Sequence, residues 1–156
     1  MGIRTQFPLG FSIINLVMSH RNLTTERVRQ LGLYPGQDVV LLELLDHDGQ
    51  LQNALVTALG LDHSTVTKSV ARLKKNDIVT TEKSQTDRRA TIVTLTPKGR
   101  RLAQEVAKIW DSVEATVLRD LTPAERDQFL TMTHQITTRF NQTAAAERQT
   151  KQDKKA

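Results

Sequence analysis

Ser64, Thr65, Thr67, Lys68 and Arg72 stand close together in one polar, basic stretch. Short hydroxyls mixed with long cations can hydrogen-bond to donor and acceptor edges and neutralise phosphates. The charge around them points the same way. From Asp62 to Arg100, nine Lys and Arg oppose four Asp and Glu, so this stretch accounts for the net charge of +5 and the remainder sums to zero. An uneven solvated surface has the same composition, but an excess confined to one supersecondary unit suits a polyanion partner. Catalytic chemistry finds no comparable set. The chain has no cysteine, which removes thiolate nucleophiles, disulfides and thiol redox sensing. His20, His47, His63 and His134 fall in separate segments, without a Ser-His-acid pattern or a glycine-rich phosphate loop. The reading is therefore a non-enzyme with no cofactor and no metal site. Asp46-His47-Asp48-Gly49 has the look of a calcium loop, but Thr57 stands where the loop needs its closing acid, so a helix-ending turn is expected there.

The elements that must position these residues are mainly α, with one small β-hairpin. Phe11, Ile14, Leu16 and Val17 lead a helix into the polar stretch 20–29, where Leu23 and Val28 supply apolar contacts. Tyr34-Pro35-Gly36 then opens a second helix whose Val39, Val40, Leu42, Leu44 and Leu45 form a broad apolar surface. Leu51, Leu55, Val56 and Leu59 mark a short helix that breaks at Gly60. Asp62 is an N-cap for the next one, in which Val66, Val70 and Leu73 make an apolar stripe opposite Ser64, Thr65, Thr67, Lys68 and Arg72. Two short helices joined by a tight turn, the second apolar inside and basic outside, form a helix-turn-helix. Residues 78–83 and 91–96 read as strands around the polar connection Ser84-Gln85-Thr86-Asp87-Arg88-Arg89-Ala90. A hairpin with a charged tip directly after the recognition helix makes the arrangement a winged helix.

Thr96-Pro97 supplies an N-cap and a first-turn proline for a helix carrying Leu102, Val106, Ile109 and Val113 on one face. Thr122 and Glu125 form a capping box ahead of Phe129, Met132, Ile136 and Phe140. Beyond Asn141 the sequence turns polar, and residues 144–156 read as a frayed helix end and a disordered tail.

The segments 61–79 (LDHSTVTKSVARLKKNDIV) and 86–99 (TDRRATIVTLTPKG) resemble the core of the MarR family of winged helix-turn-helix transcriptional regulators. The wing pattern of that family, Asp-x-Arg, a strand, then Leu-Thr-x-x-Gly, is matched by Asp87, Arg89, Leu95, Thr96 and Gly99. Two positions depart from it. Asn76-Asp77 stands where glycine is usual, requiring a non-glycine residue in a left-handed cap, and Ala71 replaces a common acid. The resemblance implies a homodimer on duplex DNA, with Arg89 entering the minor groove and Asp87 bracing it. It also implies that 1–34 and 97–143 form a helical dimerisation region around a DNA-binding region at 35–96, with Phe11, Ile14, Val106, Ile109, Phe129 and Ile136 as interface candidates or intrachain core. Many members release DNA when a small aromatic molecule binds between the two regions, and His20, Tyr34 and Trp110 are candidate lining residues.

Within the helix-turn-helix, Ser64, Thr65 and Lys68 are the expected base contacts, and Thr67, Arg72 and Arg88 fall on the phosphate-facing or wing surface. Ser64 and Thr65 could instead merely complete the helix cap. Two functional alternatives stay open: a winged helix used for protein contacts, and a metal-responsive regulator. Stacking recognition of unpaired RNA is disfavoured by an aromatic content of 4%. The 156 residues suit one compact unit, with no apolar run of membrane-spanning length and no signal-peptide layout at the start. The glycine after Met1 is not followed by a myristoylation pattern, because Gln6 replaces the required hydroxyl, so the expected location is the cytoplasm.

Overall fold

The computed structural model describes residues 2–153 and falls into two compact units divided after Val113. The first unit opens with a single turn, α1 (Ile3–Gln6), and α2 (Pro8–Arg29), followed by α3 (Gln37–Asp46), β1 (Gln50–Leu51), α4 (Gln52–Leu59) and α5 (His63–Lys75). β2 (Val79–Lys83) and β3 (Thr91–Leu95) form the hairpin, and α6 (Pro97–Leu118) follows. The sheet is antiparallel in the order β1-β3-β2, with Val79 opposite Leu95, Thr81 opposite Val93, and Gln50 also opposite Val93. The expected hairpin is thus present, and a two-residue third strand joins its far edge.

The local sequence explains why the chain turns where it does. Gly60 ends α4 at φ 61°, a left-handed conformation that a residue with a Cβ adopts at a cost, and this frees the chain to enter α5 at once. Asp62 caps α5 as expected, accepting from the Thr65 amide at 2.9 Å. After α5 the left-handed position is held by Asp77 at φ 56°, so the departure from glycine leaves the turn intact. Thr96 caps α6 by accepting from the Gly99 amide at 2.9 Å, and the same hydroxyl donates to the Asp77 carbonyl at 2.7 Å, tying the end of α5 to the start of α6.

One core lies under the helix-turn-helix and wing. Leu41 and Leu44 of α3, Leu55 of α4, Val66, Val70 and Leu73 of α5 and Val79 and Val93 of the sheet are buried together. Val28 of α2 and Ala103 and Val106 of α6 belong to the same cluster, and Ile109 packs against it. Of the two readings left open for Val106 and Ile109, interface or intrachain core, their place here is the intrachain core: the first turns of α6 close the winged-helix core within the chain. Phe11 is half-buried, whereas Ile14 is 59% exposed.

The second unit consists of the end of α6 and α7 (Pro123–Asp153). The capping box forms as expected: Glu125 accepts from the Thr122 amide and hydroxyl at 2.8 and 2.7 Å, and these two bonds hold the Glu125 carboxyl below its ordinary pKa range. No residue of α7 is buried, and Phe129, Leu130, Met132 and Phe140 are exposed, with Ile136 intermediate. The helix continues through Asp153, so residues 144–153 are helical where a disordered tail is expected from composition. Ala144, Ala145, Ala146, Glu147, Arg148, Gln149 and Lys151 are good helix formers, which propagate a helix already nucleated upstream without needing burial. The remainder of that segment, 154–156, lies outside the described residues. Among the described residues no helix is long and apolar enough to cross a membrane.

Candidate nucleic-acid interface

α5 presents the polar face that the spacing predicts. Its buried side carries Val66, Ser69, Val70 and Leu73, and Ser64, Thr67, Lys68 and Arg72 are exposed on the other side, with Thr65 half-buried. At the N-terminal end Asp62 gathers three donors. Ser64 Oγ donates to Asp62 Oδ1 at 2.6 Å, Thr65 Oγ1 donates to Oδ2 at 2.5 Å, and the Thr65 amide donates to Oδ1 at 2.9 Å. The Ser64 hydroxyl first, then the Thr65 hydroxyl and amide, hold the Asp62 carboxyl well below the usual carboxylate range. The cap reading of Ser64 and Thr65 is therefore correct as far as it goes, although both hydroxyl oxygens keep accepting capacity.

Further along the helix the residues differ in their freedom. Thr67 Oγ1 donates to the His63 carbonyl at 2.8 Å and accepts from Gln52 Nε2 of α4 at 2.9 Å, which fixes it against its neighbours. Lys68 makes no hydrogen bond or ion pair among the described residues and is free to reach a ligand. The Arg72 guanidinium lies 4.9 Å from the centre of the Tyr34 ring, so its plane is steadied while its donors stay exposed.

The wing tip is built around Ser84, which is buried despite its polarity. Its hydroxyl accepts from the Thr86 and Asp87 amides at 3.3 and 3.4 Å, and its amide donates to the Ala90 carbonyl at 3.0 Å. Asp87 Oδ1 accepts from the Arg89 amide at 2.9 Å, so its bracing acts on the Arg89 backbone. The Arg88 and Arg89 side chains are exposed and, among the described residues, carry no ion pair. Nearby lysines are committed elsewhere: Lys74 to Thr81 Oγ1 at 2.7 Å and Lys98 to the Asn76 carbonyl at 2.9 Å. Lys68 and Arg72 on one helix face and Arg88 and Arg89 at the hairpin tip carry no ion pair among the described residues.

His20 and Trp110 do come together. Their rings meet edge to face at 5.2 Å, and Trp110 Nε1 donates to Asp38 Oδ2 at 3.2 Å. They border an open cleft of about 490 Å³ that also takes in Val17, Arg21, Asp38 and Thr65. Tyr34 does not line this cleft; it is 59% exposed and its ring lies against the Arg72 guanidinium of the recognition helix. Arg21 and Asp38 were not foreseen, because neither charge carries a sequence signal for a cleft closed by an element as distant as Trp110. Ser84 was missed for a similar reason, as a serine in a polar loop announces nothing about its burial. Among the described residues no cluster of three or more His, Cys, Asp or Glu could hold a metal ion.

Comparison with known proteins gives this arrangement its place. Residues 31–90, spanning α3 to the wing tip, match the model of the MarR family. The crystal structure of MarR superposes with a TM-score of 0.75 at 23% identity, over 93% of this chain and 99% of that one. Bordetella bronchiseptica BpsR, whose DNA binding is regulated by 6-hydroxynicotinic acid, superposes with a TM-score of 0.76 at 26% identity, over 83% of this chain and 98% of that one. Reduced AbfR bound to DNA gives a TM-score of 0.74 at 25% identity, over 90% and 94% of the two chains. With its recognition helix and wing tip inside the matched segment and its fold shared over most of its length with such structures, the chain is similar to the MarR family of winged-helix transcription regulators.

Proposed function

We propose that the protein is a homodimeric repressor that binds a pseudo-palindromic operator in duplex DNA and is released by a small aromatic ligand. The observation that carries the DNA reading is the placement of unpaired cations: Lys68 and Arg72 on the open face of α5, Arg88 and Arg89 at the wing tip. An α-helix enters the major groove, where each base pair presents a distinct set of donors and acceptors, while a wing arginine suits the negative potential of a narrow minor groove. Ser64, Thr65 and Lys68 then face base edges, Thr67 and Arg72 lie toward the backbone, Arg89 enters the minor groove, Arg88 takes phosphate and Asp87 holds the tip in shape. One such unit reads only a few base pairs, so selection among genomic sites calls for two copies. The exposed apolar residues of α2 and of α7 support a second copy as their cover. Repression is the common mode of the family. The cleft at His20 and Trp110 and the regulation of BpsR by 6-hydroxynicotinic acid support an aromatic effector.

The test is selection from randomised duplexes by the purified chain, repeated with Lys68→Ala and Arg89→Ala. A two-fold symmetric site is expected, with Lys68→Ala relaxing preference inside the half-sites and Arg89→Ala weakening binding mainly where the flanks are A·T-rich. Retention without sequence enrichment that vanishes as salt rises would leave only phosphate attraction and sink the proposal.

A further inference from the structure

Ser64 and Thr65 meet the same carboxylate, and this fixes the polarity of both hydroxyls. Asp62 is ionised across the neutral range, since its surroundings lower its pKa, and an ionised carboxylate accepts hydrogen bonds without donating any. The short contacts from Ser64 Oγ at 2.6 Å and Thr65 Oγ1 at 2.5 Å therefore use the one proton that each hydroxyl owns. What each oxygen still offers outward is lone pairs. A free serine or threonine is indifferent to polarity, because its hydroxyl turns to donate or accept as the partner requires; here that rotation is prevented.

The geometry points to a specificity device: Asp62 presents Ser64 and Thr65 to the major groove as acceptors only, so that they select base edges carrying an amino group, adenine N6 or cytosine N4, over the keto oxygens of guanine and thymine. This rests on the DNA-binding reading above and goes beyond it in naming which chemical class of base the two positions accept. Because every base pair has one amino-bearing base in the major groove, the device reads which strand carries it. Its signature is degenerate: A and C tolerated, G and T excluded, on one strand. Asp62 is a positioning residue in this scheme and need not touch DNA.

Substitution at Asp62 separates the two hydroxyls. In Asp62→Asn the carbonyl oxygen can still accept from the Thr65 amide and from Ser64, so the cap survives, as asparagine is as good an N-cap as aspartate. The amide nitrogen then replaces Oδ2 and donates to Thr65 Oγ1, whose own proton is freed to point outward. The Thr65 position should change from amino-selective to keto-tolerant while the Ser64 position keeps its preference. Ser64→Ala should flatten the other position alone.

Selection from randomised duplexes with wild type, Asp62→Asn and Ser64→Ala tests this, each variant first shown to melt as the wild type does. The expected result is a discrimination on the order of tenfold for A or C over G or T at the sensitive positions, lost one position at a time. A symmetric site with no position at which A or C on one strand is preferred over G or T on that same strand, or one that neither substitution alters, overturns the inference while leaving the DNA-binding reading in place. Failure to enrich any site overturns that reading, and this one with it.

Discussion

A Cβ added at Gly99 would overlap the carbonyl oxygen of Ile78 and stand 2.9 Å from its carbonyl carbon, with Ile78 Cγ2 at 3.2 Å. The obstacle is backbone at the root of the hairpin, which cannot swing aside as a side-chain tip would. Gly99→Ala should therefore destabilise the fold by about 1–3 kcal/mol or more, read as a lower denaturant midpoint at unchanged slope. A midpoint equal to wild type would mean that α6 can slide away from the hairpin. The sequence shows Gly99 only as the end of a wing pattern; the reason for it, the approach of α6 to Ile78, is a tertiary fact. Asp62 also has a consequence visible without DNA. Its folded pKa is depressed, so the stabilisation it provides is fully present above the ordinary aspartate range near 4 and is lost as the pH falls through the lower folded value. Asp62→Asn removes that titration, and the stability of the variant should fall less steeply than that of wild type below about pH 4. Parallel urea midpoints for the two proteins down the acid limb would refute a cap of this kind.

At the scale of elements, what was legible was what periodicity and capping chemistry control. The stripe of Val66, Val70 and Leu73, the alternation of Val93 and Leu95 and the caps at Asp62, Thr96 and Thr122 are local patterns, and each is found in place. β1 was not legible, since two residues have no period, and it exists because the turn after α3 brings Gln50 beside Val93. That turn depends on Asp48, which sequence alone offers only as part of a helix-ending turn. Its Oδ1 accepts from the Leu95 amide at 2.8 Å, and its Oδ2 meets the Arg100 guanidinium of α6. One carboxylate thus satisfies the last amide of β3 and anchors the first turn of α6. The two halves of the interaction differ in environment, because Asp48 is 23% exposed and Arg100 48%. Asp48→Ala strands a sheathed amide and should cost about 1.5–3 kcal/mol, whereas Arg100→Ala removes a partly solvated ion pair and should cost no more than about 1 kcal/mol. Equal losses from the two substitutions, measured by chemical denaturation, would show that the ion pair and not the amide bond holds the turn.

For the whole molecule, exposure within the single chain separates residues that finish its own core from residues left for a partner, a distinction the sequence could not make. Val106 and Ile14 are both branched aliphatics on amphipathic helices and both read as interface candidates, yet Val106 is wholly buried while Ile14 is 59% exposed, as is Phe140 on α7. The same kind of change should therefore have opposite consequences. Ile14→Asp combined with Phe140→Asp puts charges where the chain alone buries nothing, so the monomer should fold with near-normal stability while a dimer interface fails. Val106→Ala opens a cavity in the core cluster and should lower stability by about 1–3 kcal/mol without touching the subunit contact. Sedimentation should give twice the chain mass for wild type and for Val106→Ala below its melting range, and the chain mass for the double aspartate variant. On DNA, a monomer loses the second half-site and with it the effective concentration that joins the two binding events, so affinity for a symmetric site should drop by roughly a hundredfold or more. The slope of affinity against salt should fall by about half as half of the phosphate contacts disappear. A double variant that remains dimeric would show that neither face is the subunit interface, and one that turns monomeric yet binds the symmetric site unchanged would show that each winged helix acts alone.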